Sequence, residues 1–100
     1  MLGELTAQHF LPLVDQEFTV TYPEYQGTLI LTKVDHGKKS SAPGRFRDPF
    51  SLLFNGTDPN TMLNQHIHPL THPTLGTLEI FLVPLGRNED GTYFYQAVFS

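Results

Sequence analysis

Residues 77–83 read TLEIFLV and residues 92–99 read TYFYQAVF. Both are runs of aromatic and branched aliphatic residues, which suit a pleated, half-buried surface better than a helix. Side chains alternate along a strand, so Leu78, Ile80 and Leu82 share one face of the first run. Tyr93, Tyr95, Ala97 and Phe99 share one face of the second. Between them lies PLGRNEDG, whose glycines, proline and Asn-Glu-Asp run interrupt strands and build loops. The two runs therefore predict an antiparallel hairpin.

Upstream the same pattern continues. Residues 62–70, MLNQHIHPL, form a weaker strand interrupted by Pro69, which is expected at an edge because proline cannot donate to a ladder. HPTLG at 72–76 is a turn. Residues 50–54, FSLLF, put Phe50, Leu52 and Phe54 on one side, and NGTDPN at 55–60 is a dense turn signal. Residues 17–22, EFTVTY, put Phe18, Val20 and Tyr22 on one face; a turn over 23–27 leads to a second strand over 28–34. One helix is expected, over residues 7–11, capped by Thr6 and stapled by Leu5 and Phe10. Pro12 limits it, because proline lacks an N–H and disfavours helical geometry at the residue before it. So short a helix is not stable alone and must dock Phe10, with Leu13 or Val14, on the sheet.

These elements predict a single β-rich domain over residues 1–100. Its expected form is a small antiparallel β-sandwich or partly open barrel of about six strands with one short N-terminal helix. Phe50, Leu52, Phe54, Ile80, Leu82, Tyr95 and Ala97 are the expected core. Strand order does not follow from periodicity.

Composition narrows the function. One hundred residues support one core and no second domain. There is no cysteine, hence no disulfide framework and no thiolate metal site. The net charge is −4, which argues against a nucleic-acid binder. No apolar run approaches the ~20 residues of a membrane span. The opening MLGELTAQHF carries an acid and lacks the basic start and apolar stretch of a secretion signal. The expected location is therefore the cytoplasm, or an assembled tail-like or surface structure.

Several motifs together resemble a family. They are Pro49-Phe50-Ser51-Leu52-Leu53-Phe54 followed by Gly56; His72-Pro73-x-Leu75-Gly76; Leu78-Glu79-Ile80-Phe81-Leu82-Val83-Pro84-x-Gly86; and Tyr95-x-Ala97-Val98-Phe99. Leu5-Thr6-Ala7 with Phe10, Pro12 and Leu13, and Phe18 after Gln16, fit the same pattern. The chain, apart from residues 37–48, is similar to a family of bacterial proteins of about this length catalogued as a domain of unknown function. The motifs are folding signatures and none is catalytic. Members often look like companions of phage-tail-collar-like proteins, so the resemblance implies a part in a tail, fibre or similar assembly.

Three features bear on chemistry. His66, His68 and His72 form H-x-H-x-x-x-H, and positions 66 and 68 share a strand face. Two imidazoles and a third from the turn are a possible zinc set. Against this, Pro69 breaks the strand before His72, no carboxylate is placed as ligand or base, and His72 matches the family's His-Pro turn. Residues 37–48, GKKSSAPGRFRD, hold four of the six basic residues: Lys38, Lys39, Arg45 and Arg47. The segment is expected to be an exposed loop that makes electrostatic contact with a partner, with Phe46 as a candidate anchor into either this domain or that partner. It is no P-loop, because the glycine that motif requires upstream of Gly37 is absent. Ser51 lacks a nucleophile elbow, and Asn55-Gly56-Thr57 matches a glycosylation sequon but reads as a turn.

The third feature is apolar loading of both strand faces. Phe81 and Val83 oppose Leu78, Ile80 and Leu82, while Phe94 and Val98 oppose Tyr93, Tyr95, Ala97 and Phe99. Either the helix and the loop cover this second face, or it meets a partner. The leading expectation is a non-enzymatic structural or assembly protein without a cofactor. It binds a protein partner or forms a homo-oligomer through Lys38, Lys39, Arg45, Phe46, Arg47, Phe81 and Phe94. A small metal-binding module or metal-dependent enzyme using the histidines is the alternative, and a small-ligand barrel is a third.

Overall fold

The computed structural model describes residues 5–36 and 50–99. The expected basic loop, with Lys38, Lys39, Arg45, Phe46 and Arg47, lies outside the described residues. The elements are α1 (Ala7–Phe10), a 3₁₀ turn (Leu11–Leu13), β1 (Glu17–Tyr22), β2 (Tyr25–His36), β3 (Phe50–Gly56), β4 (His66–His72), β5 (Gly76–Arg87) and β6 (Tyr93–Phe99). Six antiparallel strands close a barrel in the order β1-β2-β3-β6-β5-β4.

Two long, bent strands make the corners. The first half of β2 pairs with β1, from Tyr25 to Ile30, and its second half pairs with β3, from Leu29 to His36. A bulge between Leu31 and Lys33 marks the change. β5 repeats the device: Gly76 to Leu82 pair with β4, then Val83 to Arg87 with β6, with a bulge between Pro84 and Gly86. Bulges bend a strand and raise its twist, which lets one strand serve two sheets. The barrel is thus two four-stranded layers, β2-β1-β4-β5 and β2-β3-β6-β5, sharing their outer strands. A sandwich and a barrel are here the same object.

The ladders are unequal. β3 and β6 pair over six residues, from Phe50↔Phe99 to Asn55↔Phe94, whereas β1 and β4 pair only at Thr19↔Thr71 and Val20↔Leu70. The short seam stops at Pro69, which has no N–H to give. Pro69 was expected to put its strand at an edge. β4 instead sits inside the ring, paired with β5 over all seven residues, and the proline costs it most of the β1 ladder.

The core is the expected one. Phe50, Leu52, Phe54, Ile80, Leu82, Tyr95 and Ala97 are all buried, with Phe18, Val20, Leu29, Leu31 and Leu70 completing the filling. α1 is shorter than expected and continues as the 3₁₀ turn that holds Pro12. Phe10 is fully buried, with ring centroids 5.8 Å from both Phe50 and Phe99, so the helix plugs the barrel interior at that end. Asp15, at φ 75°, turns the chain into β1; Asp and Asn tolerate this left-handed region better than other side chains. The turn between β1 and β2 is tighter than expected, with Tyr22 opposite Tyr25.

Candidate functional site

Outward side chains of β4 and β5 create the apolar surface. Ile67 is directly opposite Phe81 in the ladder, and they are 50% and 47% exposed. Val98 on β6 is 65% exposed, and Leu85, in the β5 bulge, is also exposed. The helix does not cover them, because Phe10 is spent on the barrel interior. Phe94 differs from Phe81: it is half-buried, and its ring lies across Gly86, where an added Cβ would come within 3.2 Å of it. Phe94 thus covers its own wall, and Phe81 is the bare aromatic. Ile67 was not singled out by sequence, although its alternation with His66 and His68 already placed it on the opposite face.

The histidines do not converge on one point. His66 is exposed, and its ring centroid is 5.9 Å from that of His68. His68 and His72 are buried, and both nitrogens of each have partners. The Asn64 carbonyl, 2.8 Å from His68 Nε2, can only accept, so Nε2 carries the proton and Nδ1 accepts from the Tyr22 hydroxyl at 2.6 Å. The Thr74 N–H donates to His72 Nδ1 at 3.0 Å, so His72 Nε2 donates to Gln16 Oε1 at 2.6 Å. The His72 ring also stands 4.9 Å from Phe18. Tyr22 lies on β1 and Gln16 just before it, whereas Asn64 and Thr74 flank β4 itself. The two rings therefore stitch the β1–β4 seam on either side of its two backbone pairs, and their lone pairs are engaged there. Among the described residues, no group of three metal-ligating side chains could hold an ion.

A cleft at the barrel mouth was not legible in sequence. It is lined by Val20, Leu29 and Leu63 and by Tyr25, Asp58, Thr61 and Tyr95. The Tyr25 ring occupies the space a side chain at Gly27 would fill. Its hydroxyl donates to Asp58 Oδ2 at 3.4 Å. Asp58 Oδ1 accepts the Asn60 N–H at 2.9 Å, and the Tyr95 oxygen accepts the Leu63 N–H at 3.0 Å. The volume is about 10 Å³, enough for one water molecule.

Burial, and then the Asp58 charge, raise the Tyr25 hydroxyl above its ordinary 10.0. Burial also raises Tyr95, against the opposing Leu63 N–H. Both phenols therefore hold their protons more tightly in the folded chain than in the unfolded one. The resulting stability is full below pH 10 and is lost as pH rises through the raised folded values. Urea midpoints measured across that range should fall, and fall less in Tyr25→Phe. An equal fall in both proteins would remove Tyr25 from the account.

Comparison with curated proteins and with solved structures gives no match. Residues 5–99 match DUF6916, a domain of unknown function, and the match takes in α1 and all six strands. Its extent is what the folding motifs lead one to expect, since they are spread from Leu5 to Phe99 rather than gathered at a site. The chain belongs to the DUF6916 family.

Proposed function

We propose that this protein is a non-enzymatic assembly component that binds a protein partner through the outer wall of its barrel. The observation that carries the reading is the Ile67–Phe81 pair, two large apolar side chains side by side on adjacent strands and half exposed. Val98 and Leu85 add exposed apolar surface. Contiguous apolar surface on a small domain marks a partner site more often than a scatter of single residues does. The resemblance to companions of phage-tail-collar-like proteins extends the proposal to a tail-like or fibre-like assembly. Among the described residues no helix is long and apolar enough to cross a membrane.

The test is co-expression with tail and fibre components, followed by affinity capture and light scattering. The wild-type chain should capture a partner or self-associate. The double variant Ile67→Ser, Phe81→Ser should lose that association with little change in melting temperature, because both side chains already face solvent. A strictly monomeric wild-type chain that captures none of these components overturns the proposal.

A further inference from the structure

The mouth cleft carries an inference that does not depend on the partner reading. The Tyr95 side chain is 1% exposed, and its oxygen accepts from Leu63. A tyrosine hydroxyl also donates, and among the described residues nothing accepts the Tyr95 proton. A buried donor left unused is costly. Asp58, on the same cleft, is half-buried and has acceptor capacity to spare. Its Oδ1 receives the Asn60 N–H, but Oδ2 receives only the long 3.4 Å contact from Tyr25. An O–H···O bond is usually nearer 2.7–2.8 Å, by the ordinary geometry of about that length. The cleft therefore offers a donor on one wall and an underused acceptor on another, in a space of about 10 Å³.

A single group that serves both residues accepts from Tyr95 and donates to Asp58. An ammonium has no lone pair to accept with. A carboxylate or phosphate brings no proton and meets the Asp58 charge. An amide accepts and donates from different atoms and is too large. A hydroxyl does both from a single oxygen, and a single oxygen is what the volume admits.

We propose that the cleft is a seat for one hydroxyl of a sugar or related polyol, occupied by water when no ligand is bound. The surroundings suit the rest of such a ligand, since the Tyr25 ring, Thr57 and Thr61 also line the cleft.

The experiment is an amide-resolved NMR titration of the isolated chain. The probes are methyl glucoside, methyl galactoside and glycerol, with propylammonium and acetate as charged controls. The expected result is a saturable shift of the Leu63 and Asn60 amides with a glycoside or glycerol, and none with the charged controls. Separate responses to the glycosides and to glycerol distinguish a sugar from a simple polyol. Asp58→Ala should weaken the response by about tenfold or more, the scale of a lost hydrogen bond to a charged group. Asp58→Asn, which keeps an acceptor oxygen in place, should weaken it less. If the amides respond to none of the three hydroxyl probes, the seat holds water only and the proposal is overturned. A response undiminished in Asp58→Ala overturns it as well. No partner protein enters this test, so its outcome is separate from that of the assembly reading.

Discussion

Replacing Phe54 by alanine is expected to lower the unfolding free energy by about 3–5 kcal/mol. Phe54 is fully buried in the middle of β3, opposite Leu31 on one neighbour and Tyr95 on the other. Its ring stands edge-on to Phe18 at 5.3 Å across the barrel. Those neighbours are fixed by ladders on both sides, so the space left by the ring cannot collapse. The cost is then the lost burial plus the cavity. That is a large share of the ~5–15 kcal/mol by which a domain of this kind is stable. Urea denaturation checks it: the midpoint should fall with the slope unchanged. Val98→Ala, on the outer wall, should change little. A Phe54→Ala variant as stable as the parent would mean that the inward face of β3 is wrongly assigned.

That inward face was legible because Phe50, Leu52 and Phe54 outweigh Ser51 and Leu53 on the other side, and a strand has only two sides. The same holds for Phe18, Val20 and Tyr22, and β1 begins and ends where the alternation does. The corners were not legible. Pro84 and Gly86 look like the end of a strand, yet β5 runs through them to Arg87. The residues that interrupt a local pattern are the ones that let a long strand bend and change neighbours. Residues 25–27 likewise look like a turn, because nothing local announces that Gly27 belongs to a strand and makes room for the Tyr25 ring. Ring closure was out of reach for a further reason: it depends on β1 meeting β4, a pairing about fifty residues apart in sequence that two residue pairs secure.

Candidate-site residues divide in the same way. Phe81 was visible as an apolar residue on the wrong side of a strong strand, a purely local signal. The spacing of His66 and His68 puts them on one strand face, whereas His72, which reads as part of a turn, ends the same strand. Whether that face points to solvent or inward was set by Tyr22 and Gln16, far away in sequence. The cleft joins Tyr25 to Asp58 across 33 positions and Leu63 to Tyr95 across 32, so no spacing rule connects them. What the sequence does carry is the permission for that cleft: a glycine at position 27 and a tight turn around Asp58.

The β1–β4 seam supports the other large expected effect. Thr19 and Thr71 are ladder partners there, and antiparallel partners have Cα atoms about 4.5–5.5 Å apart, within the span of a disulfide. The chain has no cysteine, so a Thr19→Cys, Thr71→Cys variant can form only one intramolecular bond. Oxidation closes a loop of about fifty residues, for which chain entropy gives a stabilisation of about 4 kcal/mol. The reduced variant gives up little beyond the hydroxyl contact from Thr71 to Thr77, 2.8 Å long and on the surface. The oxidised protein should therefore unfold at markedly higher urea than the reduced one. Amides of His68, Leu70 and Val20 should exchange more slowly, because a ladder of two pairs is where such a barrel opens first. The comparison also decides between two architectures. In a closed barrel the cysteines meet without distortion and the full gain appears. In a partly open one, β1 and β4 would have to be pulled together, and the strain would consume the gain. An oxidised variant no more stable than its reduced form would mean that the barrel is open at this seam.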